Sequence, residues 1–289
     1  MHELKSSRRV FLGASAAFAC VGRSSFAGTS SLRIGVTDWN LNLSANPESI
    51  PAASRLGFAG VQVSFGRKLV NGRMPVDNPE TIAQYLKLSK QYNLPIDGTC
   101  VDRLHDNGLK DDPLASKWVL DSIRLTNELK AKVLLLPFFG PRAIKTPSDM
   151  EQVGDALRDP AVEAEKAGVI LGLEDTISAE DNVRIMDRSR AKNVLVYYDV
   201  GNSTEAGFDI VKEIRWLGKD RICQIHIKDN PHYLGEGTIQ FAPIIRAIED
   251  IGWSGWLNLE TDAHPESLDA DMRRNLAYIR KIVAQTSRS

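Results

Sequence analysis

Short apolar runs alternate along the chain with longer amphipathic segments. Eight of these runs have the length of a strand, and they cover residues 32–39, 60–65, 94–101, 132–139, 169–174, 194–199, 222–227 and 256–260. The segments between them carry apolar residues at helical spacing and helix-start signals, as in 78–92 and 148–168. A last helix is predicted over residues 267–285. The chain therefore reads as repeated strand–helix units.

Eight such units in about 250 residues predict a single (β/α)₈ TIM barrel of the α/β class. Apolar strands without clean alternation are typical of a parallel sheet buried on both faces. An open, doubly wound sheet is the alternative, but no GxGxxG motif follows the first strand to support it. No Pro/Gly/Ser-rich linker divides residues 28–289, so we predict one domain there.

The first 27 residues have the order of an export signal. Arg8 and Arg9 directly precede an apolar stretch that ends near Val21, and small residues follow up to Ala27. This order predicts a twin-arginine signal over residues 1–27 and a periplasmic protein. The apolar stretch is too short to span a membrane. A disordered basic tail and a lipoprotein cleavage at Cys20 are the alternatives.

The charge balance disfavours nucleic acid as a partner. Residues 1–27 hold four basic residues and one acidic residue, so their removal leaves 32 basic and 36 acidic residues, a formal charge of −4. No basic run stands out, whereas tight binding to nucleic acid depends on neutralised phosphates. We therefore expect a small-molecule partner. The sequence leaves the oligomeric state open, a homo-oligomer included.

Four of the predicted strands end on a side chain that can bind a metal ion. The segments LGLED, VYYDVGN, IHIKD and LNLET supply Glu174, Asp199, His226 and Glu260. Because the C-terminal ends of barrel strands meet at one face, and these strands are neighbours, we expect the four side chains to lie together. Three carboxylates gathered without a cation would repel one another and raise their pKa values.

A divalent cation removes this repulsion and makes the four residues its ligands. Three oxygens and one imidazole nitrogen suit a fairly hard ion, Mn²⁺, Mg²⁺ or Co²⁺, with Zn²⁺ as an alternative. Taken singly, each residue is more simply a helix cap, an ion-pair partner or a hydrogen-bonded core histidine. One such residue on each of four consecutive strands favours the metal site.

The motifs LGLEDT, YYDVGN, QIHIKD, LGEGTIQF and GWLNLET resemble the sugar phosphate isomerase/epimerase superfamily, the xylose isomerase-like TIM barrels. Within it, the chain is most similar to ketose 3-epimerases of the tagatose/psicose type. The resemblance implies one divalent metal bound by Glu174, Asp199, His226 and Glu260. It also implies that Glu174 and Glu260 are the acid/base pair, which moves a proton at a carbon next to a carbonyl through an enediolate.

The sequence departs from the epimerases at two substrate-gripping positions. Where they usually carry His and Arg, this chain has Asn202 and His232, which leaves the sugar open. Lys228 is a further candidate for binding a substrate hydroxyl or carboxylate, although an ion pair with Asp229 is the alternative.

Four more candidates are side chains that could line or contact a sugar site, and core packing is the alternative for the aromatic ones. They are Trp39, Phe139, Gln62 and His105.

We therefore predict a metal-dependent sugar isomerase or epimerase, with 3-epimerisation and 1,2-isomerisation left open. Two other functions share the fold: a metal-dependent hydrolase like the nucleases for abasic DNA, and a non-catalytic periplasmic sugar-binding barrel. The formal charge of −4 and the lack of further ligands on the early strands disfavour the nuclease. The paired glutamates disfavour simple binding.

Overall fold

The computed structural model describes residues 32–264 and 266–286. Eight parallel strands close into a barrel in chain order, β1 pairing with β8, which confirms the predicted (β/α)₈ fold. The strands are β1 (Arg33–Thr37), β2 (Val61–Ser64), β3 (Ile96–Cys100), β4 (Val133–Pro137), β5 (Ile170–Glu174), β6 (Val194–Asp199), β7 (Ile222–Ile227) and β8 (Trp256–Leu259). The predicted export signal, residues 1–27, lies outside the described residues.

Helices surround the barrel and cover the outer faces of its strands. In the described part of the chain they are α1 (Ser49–Leu56), α2 (Pro79–Tyr92), α3 (Pro113–Glu128), α4 (Pro147–Ala156), α5 (Arg158–Ala167), α6 (Ala179–Ser189), α7 (Val200–Glu205), α8 (Ile210–Leu217), α9 (Phe241–Asp250) and α10 (Leu268–Thr286). None of the helices within these limits is both long and apolar enough to cross a bilayer.

The helical spacing over residues 148–168 corresponds to two helices in the structure. The first, α4, ends at Ala156, and α5 begins at Arg158. Pro160 explains the break, because a proline ring in a helix clashes with the carbonyl four residues earlier, here that of Ala156.

The period of two along the strands directs a polar set into the barrel. On β6 to β8, residues two apart point to the same side of the sheet, so the inner residues below the strand ends form a layer. Hydrogen bonds across the barrel show this layer: Tyr197 of β6 reaches Gln62 of β2, and Asn258 of β8 reaches Asp97 of β3. The strand ends just above it hold the predicted metal ligands.

Candidate metal centre and active site

The structure brings the four predicted ligands together at the C-terminal ends of β5 to β8. One ligand atom from each of Glu174, Asp199, His226 and Glu260 lies within 4.8 Å of the others. His226 Nδ1 is 2.8 Å from Glu174 Oε1, 3.5 Å from Glu260 Oε2 and 3.6 Å from Asp199 Oδ2. The register explains the cluster, since Asp199 on β6 pairs directly with His226 on β7.

Hydrogen bonds beneath the cluster fix the orientation of His226. The amide oxygen of Gln62 lies 2.8 Å from His226 Nε2 and also accepts from the Tyr197 hydroxyl at 2.9 Å and from Asn258 Nδ2 at 3.2 Å. Because an amide oxygen only accepts, this assignment puts a proton on Nε2. Nδ1 therefore faces the three carboxylates. A ligating histidine that donates its other nitrogen to a buried acceptor is the usual arrangement around metals.

The donor set fits a divalent ion. Glu174, Asp199 and His226 are buried, and Glu260 is partly exposed toward solvent. Asp199 Oδ2 is enclosed and accepts no hydrogen bond of good geometry. Three carboxylate oxygens and one imidazole nitrogen are ligands that Mn²⁺, Mg²⁺ or Co²⁺ accept. These residues could therefore hold one such ion, while their role as ligands remains a prediction.

The pKa values of the cluster are shifted because three carboxylates lie close together in a buried place. Burial raises the pKa of Glu174 to about 8, the charges of Glu260 and Asp199 add to this, and His226 opposes it. Burial lowers the pKa of His226, but the charges of Glu260 and Glu174 outweigh it and raise that pKa to about 10. The carboxylates therefore need a positive partner, whether a proton, a lysine or a metal ion.

Lys228 supplies one such positive charge. Its ammonium lies 2.6 Å from Glu260 Oε2 and 2.9 Å from Asp199 Oδ2. Burial raises the pKa of Asp199, but the charge of Lys228 and the neighbouring imidazole outweigh it and hold that pKa well below its usual range. The alternative partner, Asp229, instead accepts the backbone N–H of Gly237 at 3.0 Å. Lys228 therefore belongs to the acidic cluster.

A cavity of about 390 Å³ opens above the cluster. Its walls come from the loops and strand ends at this face of the barrel: Trp39, Arg67, Cys100, Asp102, His105, Leu135, Pro137, Phe139, Glu174, Asn202, Lys228 and Glu260. A second cavity, of about 790 Å³, lies outside the barrel between α2 and α3. It contains none of the predicted site residues.

The two predicted aromatic residues stand just beyond strand ends, in short 3₁₀ turns or at their edge. Trp39 begins a turn after β1, and its indole Nε1 donates to Glu260 Oε1 at 3.0 Å. Phe139 precedes a turn after β4 and stacks against His105, with ring centroids 6.3 Å apart. Both rings line the cavity, as does His105.

Two predicted polar contacts have different outcomes. Asn202 lines the cavity, and within the described chain its Nδ2 has no hydrogen-bond partner. His232 is exposed, with its backbone N–H bound to the carbonyl of Asp229, and it is not among the residues that line the cavity. Its role as a substrate contact therefore stays a prediction. Gln62 is also a supporting residue and not a wall, because it lies under His226.

The sequence pattern did not identify Arg67 and Asp102 as cavity residues. Asp102 lies two residues after the end of β3, so an acidic residue near a strand end was the available signal. Its Oδ2 accepts from Ser64 Oγ at 2.9 Å and from the backbone N–H of Gly66 at 3.1 Å. Arg67 lies in the loop after β2, where no periodicity marks it. Its guanidinium pairs with Asp106 at 2.6 Å.

Comparison with known proteins agrees with this architecture. Residues 50–282 match the family model described as Xylose isomerase-like TIM barrel. An L-ribulose 3-epimerase superposes with a TM-score of 0.73 at 19% identity, covering 89% of this chain and 96% of that one. The D-psicose 3-epimerase of Clostridium cellulolyticum H10, solved with D-tagatose, gives a TM-score of 0.73 at 17% identity, covering 87% and 99%. At these identities the likeness shows the fold.

Curated relatives match over a shorter part of the chain. An inosose dehydratase of Geobacillus kaustophilus is 26% identical over 111 residues, which is 30% of this chain and 36% of the relative. The matches span little more than a third of the length of the curated relatives. What those proteins act on therefore does not transfer directly to this chain.

Proposed function

Because this chain belongs to the xylose isomerase-like TIM barrel family, we propose that it is a divalent-metal-dependent sugar isomerase or epimerase. One observation carries the proposal: Glu174, Asp199, His226 and Glu260 converge within 4.8 Å at the catalytic face of the barrel, beneath a cavity. The structural neighbours named above are sugar epimerases, which supports the same reaction class.

The four clustered residues would hold one ion, Mn²⁺, Mg²⁺ or Co²⁺ by preference and Zn²⁺ as an alternative. When bound, the ion supplies an electrophile that favours negative charge on a substrate oxygen beside the reacting carbon. Glu174 and Glu260 approach His226 from β5 and β8, and both line the cavity. One of these carboxylates removes the proton next to the carbonyl, and the other returns a proton to the opposite face.

Other cavity residues position these carboxylates and the substrate. Trp39 donates to Glu260 Oε1, which fixes the direction of this carboxylate. Asn202 lines the cavity, and its Nδ2 is enclosed without a partner in the described chain, so this amide would have to turn toward the cavity to donate to a substrate hydroxyl. Phe139, stacked on His105, offers an aromatic wall to a sugar face. His232 is not among the residues that line the cavity, so its contact with a substrate stays a prediction.

A dehydratase is the second candidate, because the inosose dehydratase relative matches part of the chain. Loss of water from a keto sugar also begins with proton removal next to a carbonyl, so one base and one metal would serve both reactions. The two differ in the product: an epimer keeps the mass of the substrate, and a dehydration product has lost one water.

The nuclease alternative requires several metal ions. Among the described residues, one group of three or more clustered ligand side chains is found. This favours a single metal over the three that the nucleases carry. A purely sugar-binding barrel would have no need of the two glutamates facing one cavity.

The experiment combines metal analysis with a product screen. The purified protein is stripped with a chelator, reloaded with Mn²⁺ and given a panel of free ketoses, aldoses and keto-inositols. We expect one metal per chain and an isomer of unchanged mass from at least one sugar. A product that lacks one water favours the dehydratase, and a protein that binds no metal after reloading overturns both.

We also propose export by the twin-arginine route to the periplasm, on the order of residues 1–27.

A further inference from the structure

The ammonium of Lys228 contacts one carboxylate oxygen of each of two proposed ligands, Asp199 and Glu260. The outer oxygen of each carboxylate already has a neutral donor: Asp199 Oδ1 accepts the backbone N–H of Asn202 at 2.8 Å, and Glu260 Oε1 accepts the indole of Trp39 at 3.0 Å. The remaining oxygens, Asp199 Oδ2 and Glu260 Oε2, lie 2.9 Å and 2.6 Å from the ammonium of Lys228.

Those same oxygens are the ones turned toward the imidazole. Asp199 Oδ2 and Glu260 Oε2 lie 3.6 Å and 3.5 Å from His226 Nδ1, so they are the atoms best placed to share an ion with it. The lysine therefore contacts the oxygens that a metal would use. A divalent cation and an ammonium that share these two oxygens repel each other, so each weakens the binding of the other.

The fold is shaped to admit this lysine. Lys228 follows His226 by two residues, which places both on the inner side of β7 and its extension. The side chain is 14% exposed. Its methylene stem runs against Gly201, the second residue of α7: a Cβ there would meet Lys228 Cγ in a clash and would lie 2.9 Å from Cε. Only glycine at position 201 leaves room for the lysine in this position.

We propose that Lys228 is a tethered counter-ion that competes with the divalent metal for Asp199 Oδ2 and Glu260 Oε2. The inference rests on the proposed metal site. Without metal, the ammonium balances the carboxylates and keeps the empty site from opening. When the metal binds, the ammonium withdraws into the cavity, where Asn202 and Glu174 also line the wall and a substrate oxygen can accept its hydrogen bond.

The inference predicts that removing the charge tightens metal binding. Isothermal titration of chelator-stripped protein with Mn²⁺ at fixed pH compares wild type with Lys228→Met, Lys228→Gln and Lys228→Arg. We expect Lys228→Met and Lys228→Gln to bind Mn²⁺ about ten-fold more tightly or better, the scale of coupling between close charges. Lys228→Arg keeps the charge and should bind no more tightly than wild type. The Gln variant decides the matter if the Met variant does not fold.

Lys110→Met is the matched control. The side chain of Lys110 is 13% exposed, close to the 14% of Lys228, and its ammonium pairs with one carboxylate, that of Asp149 at 3.4 Å, which is not part of the acidic cluster. Its loss should leave Mn²⁺ affinity unchanged. Equal or weaker Mn²⁺ binding by both neutral Lys228 variants overturns the counter-ion role and leaves the metal site standing. Absence of Mn²⁺ binding in every protein, wild type included, overturns the metal site and this inference together.

Discussion

Gln62 offers a sharp test of how the barrel interior supports the cluster above it. Its amide oxygen receives three buried donors, His226 Nε2 at 2.8 Å, the Tyr197 hydroxyl at 2.9 Å and Asn258 Nδ2 at 3.2 Å. The substitution Gln62→Leu keeps the volume nearly constant and removes the acceptor. Asn258 keeps its bond to Asp97 at 2.9 Å, so two donors are left without a partner.

The magnitude follows from a count of buried donors. The substitution leaves two donors without an acceptor and removes one that already lacked a partner, Gln62 Nε2. Each such donor costs about 1–3 kcal/mol, so Gln62→Leu should lower the free energy of unfolding by about 1–3 kcal/mol. For a chain of this size that is a fall in Tm of at least about 2 °C. His226 also loses the bond that orients its ring, and loss of such a supporting bond weakens metal binding by about 10–100-fold.

Gln224→Leu is the matched control, because Gln224 is the same residue type, also fully buried, in the same polar layer. It donates one long bond of 3.3 Å to Asp97 and has no direct bond to His226. Thermal unfolding of the stripped proteins and Mn²⁺ titration compare the two variants. We expect Gln62→Leu to lose both stability and affinity, and Gln224→Leu to keep its affinity. Unchanged Mn²⁺ affinity in Gln62→Leu would refute the orienting role of this amide.

Three further predictions concern the reaction, the export signal and the barrel interior. Glu260→Gln should lower kcat by about 10²–10⁴-fold with metal still bound, and full activity of this variant would make the carboxylate structural. Asp199→Asn should instead lose metal, and its activity should recover in part with excess Mn²⁺. Replacement of Arg8 and Arg9 by Lys should abolish periplasmic yield in fractionated cells, and an unchanged yield would remove the twin-arginine signal. Burial raises the pKa of Asp97 to about 7, so its contribution to stability is complete below its ordinary pKa of 3.8 and is lost as pH rises through 7. Asp97→Asn should remove this decline in the free energy of unfolding, which amounts to about 4 kcal/mol. An unchanged slope of the free energy of unfolding against pH would contradict this.

The fold and the position of the acidic cluster could be predicted because both depend on local pattern. Apolar runs that end on Glu174, Asp199 and His226 located the ends of three strands. In a closed parallel barrel, neighbouring strands place their C-terminal ends side by side, so these residues must lie together. Helical spacing over residues 148–168 does not locate the break between α4 and α5, because its cause is a single proline, Pro160, inside an otherwise helical pattern.

The supporting residues could not be predicted because they depend on contacts across the barrel. Gln62 lies 164 positions from His226 in the chain, and no spacing indicates their hydrogen bond. The ion pairs of Lys228 also depend on the fold. Its neighbour Asp229 was the expected partner from the sequence, but strand alternation turns the lysine toward the barrel interior and the aspartate away from it. His232 is exposed and is not among the residues that line the cavity, and no strand position fixes its loop, so its role as a substrate contact stays a prediction.

Solvent exchange at the reacting carbon tests the central claim most directly. The Mn²⁺-loaded protein is run in D₂O with the sugar that it turns over, and the product is read by NMR. If Glu174 and Glu260 exchange protons with water between turnovers, the product should carry one deuterium at the carbon next to the carbonyl. A product that keeps the substrate's own hydrogen there would contradict proton transfer by this glutamate pair.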